Sequence, residues 1–114
     1  MQEVIKAGLN YIDTAPWYGQ GRSEEVLGAA LSEVPRQAFY LATKVGRYER
    51  DTARMFDFSA EKVRSSVLES LARLRLDYID LIQVTSGTRG SEKYEQLKLH
   101  LRCMTWSSVP AWSR

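Results

Sequence analysis

A parallel α/β fold is what this sequence predicts, and three features predict it. Three short segments rich in Ile, Leu and Val read as strands, at 9–13, 39–44 and 78–84. Helical segments precede and separate them, giving the order helix, strand, helix, strand, helix, strand. Titratable side chains stand where the first two strands end: Asp13 with Tyr18 shortly after it, then Lys44. Strands separated by helices imply parallel pairing through right-handed crossovers, and strands covered by helices are apolar-rich rather than strictly alternating.

The N-terminus, Met1 to Gly8, reads as a helix already in progress with Gly8 as its C-terminal cap. A chain that opens inside a helix implies sequence lost before it. This segment also lacks the apolar stretch of a secretory signal. After strand 9–13, the run Thr14 to Arg22 has the Pro and Gly content of a loop. Ser23 is expected to cap the next helix, with Glu24 and Glu25 in the first turn, where the helix dipole favours acid. Val26, Leu27, Ala30 and Leu31 fall on one face at helical spacing, and Pro35 is expected to end the element. Strand 39–44 leads into a charged loop over roughly 45–57. Ser59 is expected to cap the third helix, with Phe58 stapled to Val63. Val63, Val67, Leu71 and Leu74 form its apolar stripe, which Leu68 widens.

From Thr85 the pattern fails. Residues 85–91 read as a linker, Glu92 to Arg102 as a short basic helix, and 105–114 show no period. The expected organisation is an α/β unit over 1–84 and a divergent basic tail over 85–114, irregular or short-helical. The charge supports this division. Residues 1–84 carry eleven Lys and Arg against twelve Asp and Glu, or −1, and residues 85–114 carry five against two, or +3.

At 114 residues the chain fits one domain, able to bury a core with little margin. A net charge of +2 is too small to argue for nucleic acid or membrane partners. No apolar run approaches the roughly 18 residues that span a bilayer. Trp106 and Trp112 with Lys98 and Arg102 raise the idea of stacking on nucleic acid, but a tail without that role is the expectation. Cys103 is alone, so no internal disulfide forms, which favours a reducing, cytoplasmic setting. No metal-ligand set is read.

Reduction of a carbonyl by hydride needs a proton donor to the developing alkoxide. Tyrosine can serve, although its free pKa is about 10. A nearby cation lowers that value, and a carboxylate can hold the cation in place. Tyr18, Lys44 and Asp13 are the three groups such a device requires, at the strand ends where parallel folds gather their chemistry. Spacing alone leaves the other reading open: a capping Asp, a loop Tyr and a solvated Lys. Trp17 likewise either lines a substrate pocket beside Tyr18 or packs the loop.

Particular words in the sequence go further. The run Gly8-Leu9-Asn10-Tyr11-Ile12-Asp13-Thr14-Ala15-Pro16-Trp17-Tyr18-Gly19, followed by Ser23-Glu24-x-x-Leu27-Gly28, resembles the aldo/keto reductase family. So do Ala42-Thr43-Lys44-Val45-Gly46 and Ser70-Leu71-x-Arg73-Leu74-x-Leu76-Asp77-Tyr78-Ile79-Asp80-Leu81. The words Gly46-Arg47-Tyr48 and Phe56-Asp57-Phe58-Ser59-Ala60-Glu61 resemble its galactose-dehydrogenase-like branch. The resemblance covers residues 1–84. It implies an eight-stranded (β/α) TIM barrel that uses NADP or NAD to interconvert carbonyls and alcohols, here on a sugar or small aldehyde. It makes Asp13, Tyr18 and Lys44 the catalytic residues, with Tyr18 the proton donor, Lys44 the cation that tunes it and Asp13 also a cofactor contact.

Two departures shape the expectation. The family's catalytic His follows the third strand, where this chain has Thr85, and a hydroxyl is no substitute for an imidazole that orients a carbonyl. The only histidine, His100, lies in the tail, where an exposed helix position is expected. A whole barrel needs about 250 residues, so the resemblance implies that the first strand and the later four are absent. No Gly-rich phosphate loop replaces them, and Gly19-Gln20-Gly21 reads as a mobile loop. The expectation is a partial barrel with two open sheet edges, not active alone and prone to self-association. The alternative is a non-catalytic truncated isoform or remnant acting through protein association.

Overall fold

The computed structural model describes residues 1–51 and 53–85. The expectations placed on 86–114, including the basic helix, His100, Cys103 and the tail tryptophans, lie outside the described residues.

Helix α1 spans Gln2–Lys6 and strand β1 spans Tyr11–Asp13. Between them Gly8 takes φ +95°, and the N–H groups of Gly8 and Leu9 donate to the carbonyls of Ile5 and Val4. This is the paired reverse bonding of a glycine-terminated helix, as the sequence predicts. Leu9 stays exposed, and the strand is shorter than expected. A kinked turn, Tyr18–Gly21, leads into α2, Arg22–Leu31. A 3₁₀ turn, Arg36–Ala38, precedes β2, Tyr40–Val45. Helix α3 spans Ala60–Leu74 and β3 spans Leu81–Val84.

The three strands form one parallel sheet in the order β1-β2-β3. Tyr11 pairs with Tyr40, and Ala42 pairs with Leu81. This is the predicted class: an open parallel sheet with helices. Period-two alternation divides its faces. Leu41, Thr43 and Val45 of β2 turn to the helices, and Tyr40, Ala42 and Lys44 turn the other way, beside Tyr11 and Asp13 of β1 and Leu81 and Gln83 of β3. Gln83 Nε2 donates to the Tyr11 hydroxyl at 3.3 Å, crossing that face from one edge strand to the other.

Two apolar clusters hold the helices to the sheet. One gathers Leu31, Phe39, Leu41 and Leu74, with Ile5, Ile12, Leu27, Val34, Leu76 and Ile79 around them. The other centres on Val45 and Val63, with Phe58, Val67, Ile82 and Val84. A polar layer separates them. Glu24 is fully buried and accepts from the Thr43 hydroxyl and from Arg73 Nε, each at 2.7 Å. One carboxylate thereby joins α2, β2 and α3. A buried charge is tolerated only when paired and hydrogen-bonded, and Glu24 is both.

Several sequence expectations change here. Ser23 does not cap α2; Gly21 occupies that position, and the Ser23 hydroxyl lies 3.2 Å from that of Thr14. Glu24 and Glu25 stand in the first turn of α2 as expected, but Glu24 is also a buried core group, which the sequence reading did not address. Val26 and Leu68, assigned to buried stripes, are exposed. Helix α2 ends at Leu31, before Pro35. Strand β3 begins at Leu81 rather than Tyr78, because the segment before it is held by Arg36. That guanidinium donates to Asp80 Oδ2 at 2.5 Å and to the Tyr78 carbonyl, while the same carboxylate takes the Leu41 N–H at 2.8 Å. The Ser59 cap is as expected, accepting from the Lys62 N–H, and Phe58 packs with Val63.

Candidate active site

Asp13 closes β1 and Lys44 is the penultimate residue of β2, on the same face. Parallel neighbours in register bring the two side chains together. Lys44 Nζ donates to Asp13 Oδ2 at 2.6 Å and to the Thr14 carbonyl at 3.2 Å. The Lys44 side chain is 19 % exposed and that of Asp13 is 41 % exposed. Burial acts to lower the Lys44 pKa, but the Asp13 carboxylate and Tyr18 more than offset it, and the ammonium is held above its usual value of 10.5.

The loop after β1 delivers Tyr18. The Thr14 N–H continues the ladder to the Ala42 carbonyl, and Thr14 and Ala15 are buried, so the loop starts from a fixed base. The Tyr18 N–H then bonds back to the Ala15 carbonyl at 3.1 Å. The turn places the Tyr18 ring centroid 5.0 Å from Lys44 Nζ. Gly19-Gln20-Gly21, expected as a mobile loop, forms a tight turn in which all three residues take positive φ before α2 begins. The structure thus brings together all three residues that the sequence singles out.

They border a cleft of about 300 Å³ at the carboxyl ends of β2 and β3. Trp17, Tyr18, Lys44, Arg47, Gln83 and Thr85 are among its walls. Trp17 therefore lines the cleft and also packs, because Arg47 lies over its ring, 4.4 Å from the centroid. Thr85, in the position where the resemblance expects His, lines the same cleft; its N–H is committed to the Val45 carbonyl. The loop after β2 is more ordered than its sequence suggests. Arg47 and Phe56 form an antiparallel bridge, and the Tyr48 N–H donates to the Met55 carbonyl at 2.8 Å. Sequence reasoning quoted Arg47 only as part of a family word and gave it no role. The signal available was its place two residues beyond the strand that carries Lys44.

The cleft is at the low end of ligand-pocket sizes. It has room for the reacting ends of a small carbonyl compound and a nicotinamide ring, not for a whole dinucleotide. The described residues hold no glycine-rich loop that would cradle its phosphates.

Comparison with known proteins agrees with this fold. The model of the aldo/keto reductase family matches residues 1–98. L-galactose dehydrogenase of Arabidopsis thaliana is 48% identical over 93 residues, covering 80% of this chain and 28% of that protein. D-threo-aldose 1-dehydrogenase of a Pseudomonas species is 41% identical over 109 residues, covering 78% of this chain and 33% of that one. Among solved structures, an aldo-keto reductase described as putative from Pseudomonas aeruginosa superposes with a TM-score of 0.76 at 39% identity, covering 88% of this chain and 39% of its own. The holo form of an aldo-keto reductase from Bacillus halodurans gives 0.67 at 42% identity, covering 86% and 35%. The chain thus spans about a third of the length of the curated relatives it matches.

Proposed function

The chain belongs to the aldo/keto reductase family, and we propose that its Asp13, Lys44 and Tyr18 cluster is the proton-transfer part of an NAD(P)-dependent site interconverting carbonyls and alcohols of sugars or small aldehydes. The observation that carries this is the Lys44–Asp13 pair beside the Tyr18 ring, in a cleft at the strand ends. The nicotinamide, when bound, supplies the hydride. Tyr18 gives its hydroxyl proton to the carbonyl oxygen as negative charge develops there. Lys44 stabilises the phenolate left behind, and its Asp13 partner and the Thr14 carbonyl fix where that positive charge sits. Residues that would grip the rest of the cofactor are not among those described, so the described residues supply the chemistry of the site more fully than its binding.

The test is thermal unfolding of the full chain by far-UV circular dichroism, with and without excess NADPH and NADH, followed by turnover on a panel of aldehydes and aldoses. Binding to the native state raises the melting temperature, by about 2.7 kcal/mol of added stability at a hundredfold excess over Kd. A cofactor-insensitive melt together with no turnover across the panel refutes the proposal.

A second reading, association through the sheet, is favoured by a specific feature. Tyr11, Tyr40 and Leu81 share the face away from the helices and are 55%, 59% and 47% exposed. Strands β1 and β3 have no further partner strand among the described residues. Unpaired edges next to an exposed apolar face favour self-association. Sedimentation at several concentrations tests it: a monomer throughout excludes this reading.

A further inference from the structure

We infer that Arg47 selects the substrate: its guanidinium holds an anionic substituent, a carboxylate or a phosphate, on the carbonyl compound whose reacting end lies at Tyr18. The inference rests on the oxidoreductase reading of the cleft and names the substrate class for it.

The first ground is charge. Two cations, Lys44 and Arg47, line the cleft, and no carboxylate does. Lys44 is neutralised by Asp13. Arg47 has no ion pair among the described residues, so the cleft keeps one uncompensated positive charge. Arg36 provides the contrast. It is as deeply set, and its guanidinium meets the Asp80 carboxylate and the Phe39 and Tyr78 carbonyls. Arg47 shows no such bonds from its guanidinium among the described residues; its Nε, like that of Arg36, is buried without a hydrogen-bond partner, so none of its donors is taken. A buried donor left unpaired is costly, and a ligand acceptor removes that cost.

The second ground is geometry. Trp17 covers one face of the guanidinium at 4.4 Å. A stacked guanidinium still donates in its own plane, and that planar fork matches the paired oxygens of carboxylate and phosphate. The backbone beneath it is fixed by the bridge to Phe56, and the Asp57 N–H donates to the Gly46 carbonyl at 3.0 Å. Arg47 is therefore a donor whose backbone is held by that bridge, facing the same cleft as the proton donor.

The test uses the full chain and three sugars that differ at one carbon: D-galactose, D-galacturonate and D-galactose 6-phosphate. Affinities by titration calorimetry are expected to favour at least one anionic sugar over the neutral one by about tenfold or more, the scale of one charge-assisted hydrogen bond. Which anion gains most tells carboxylate from phosphate. In Arg47→Gln the advantage is expected to fall to about twofold or less, and in Arg47→Lys, which keeps charge without the fork, to an intermediate value. Equal affinity for the three sugars in the unmodified chain overturns the inference without any variant. So does an anion advantage that survives in folded Arg47→Gln. Tyr18→Phe separates the two claims: it should lower turnover by roughly 10²–10⁴-fold and leave the anion advantage intact. An Arg47-dependent preference without turnover of any sugar sinks the oxidoreductase reading alone. Turnover indifferent to substrate charge sinks this inference alone.

Discussion

Gly28→Ala sets two effects of opposite sign against each other, and the structure decides between them. Gly28 lies inside α2 and is buried against the end of α3. On helix propensity alone, alanine should stabilise the chain by roughly 0.5–1 kcal/mol. A Cβ at this position, however, would stand 2.9 Å from both the carbonyl carbon and the oxygen of Leu74, and closer still to the Arg73 carbonyl oxygen. Ordinary contacts of this kind lie near about 3.5 Å. All three neighbours are backbone atoms, so no side chain can swing aside. The helices must separate by a good fraction of an ångström. That loosens the Leu31–Leu74 contact in the core and stretches the Glu24–Arg73 bond. Overpacking of this severity costs up to about 3 kcal/mol. Less about 1 kcal/mol of propensity, the expected net loss is about 2 kcal/mol. For a domain of this size that lowers the thermal midpoint by roughly 8–16 °C. Far-UV circular dichroism melts of the two proteins measure it. A variant as stable as the parent, or more so, would refute the close-approach reasoning and leave propensity in control.

Three other perturbations follow from the same contacts. Glu24→Gln keeps the shape and an acceptor for Thr43 but removes the charge facing Arg73, and is expected to cost about 1.5–3 kcal/mol in urea denaturation; a double-mutant cycle with Arg73→Met that shows no coupling would exclude the pair as the cause. Lys44 and Tyr48 both hold their protons more tightly when folded, Tyr48 chiefly through burial. Their contribution is fully present below the ordinary values of 10.5 and 10.0 and is lost as pH rises through the raised folded values, so the urea midpoint should hold up to about pH 10 and fall above it, and fall less in Lys44→Met. Tyr18→Phe should lower turnover by roughly 10²–10⁴-fold with the melting temperature unchanged, and undiminished turnover would remove Tyr18 as the proton donor.

What the sequence made legible, and what it hid, divides along a physical line. Helix α3 was legible because its signals are local: Ser59 and the Lys62 N–H it caps lie three residues apart, and Phe58 and Val63 five. Asp13, Tyr18 and Lys44 were legible because strand ends are predictable wherever strands are, and a parallel register turns adjacency along two strands into adjacency in space. The burial of Glu24 was hidden. Its first-turn position, read correctly, gives no hint of burial, because its partners Thr43 and Arg73 are 19 and 49 residues away and form no local pattern. The start of β3 was hidden for the same reason, since Asp80 leaves the strand to satisfy an N–H and a guanidinium from β2 and the turn before it. Arg47 acquires meaning only once Trp17 has folded over it.

The buried Glu24 layer and the candidate site are two faces of one strand. Thr43 and Lys44 are successive residues of β2, so their side chains point to opposite sides of the sheet. Beneath the sheet, the Thr43 hydroxyl is anchored to a carboxylate that two helices hold between them. Above it, Lys44 must meet Asp13 of the neighbouring strand at 2.6 Å. Anchoring the lower side chain fixes the roll of the strand, and the roll decides where the ammonium stands. Glu24 thus acts on the site through Thr43 without touching it, and α2 earns its place against α3 by letting that carboxylate reach. Substitution at Glu24 should therefore weaken the Lys44–Asp13 pair as well as the fold, seen as a downward shift of the Lys44 pKa by NMR titration. A Lys44 titration unchanged in folded Glu24→Gln would show that the ladder alone sets the strand's roll.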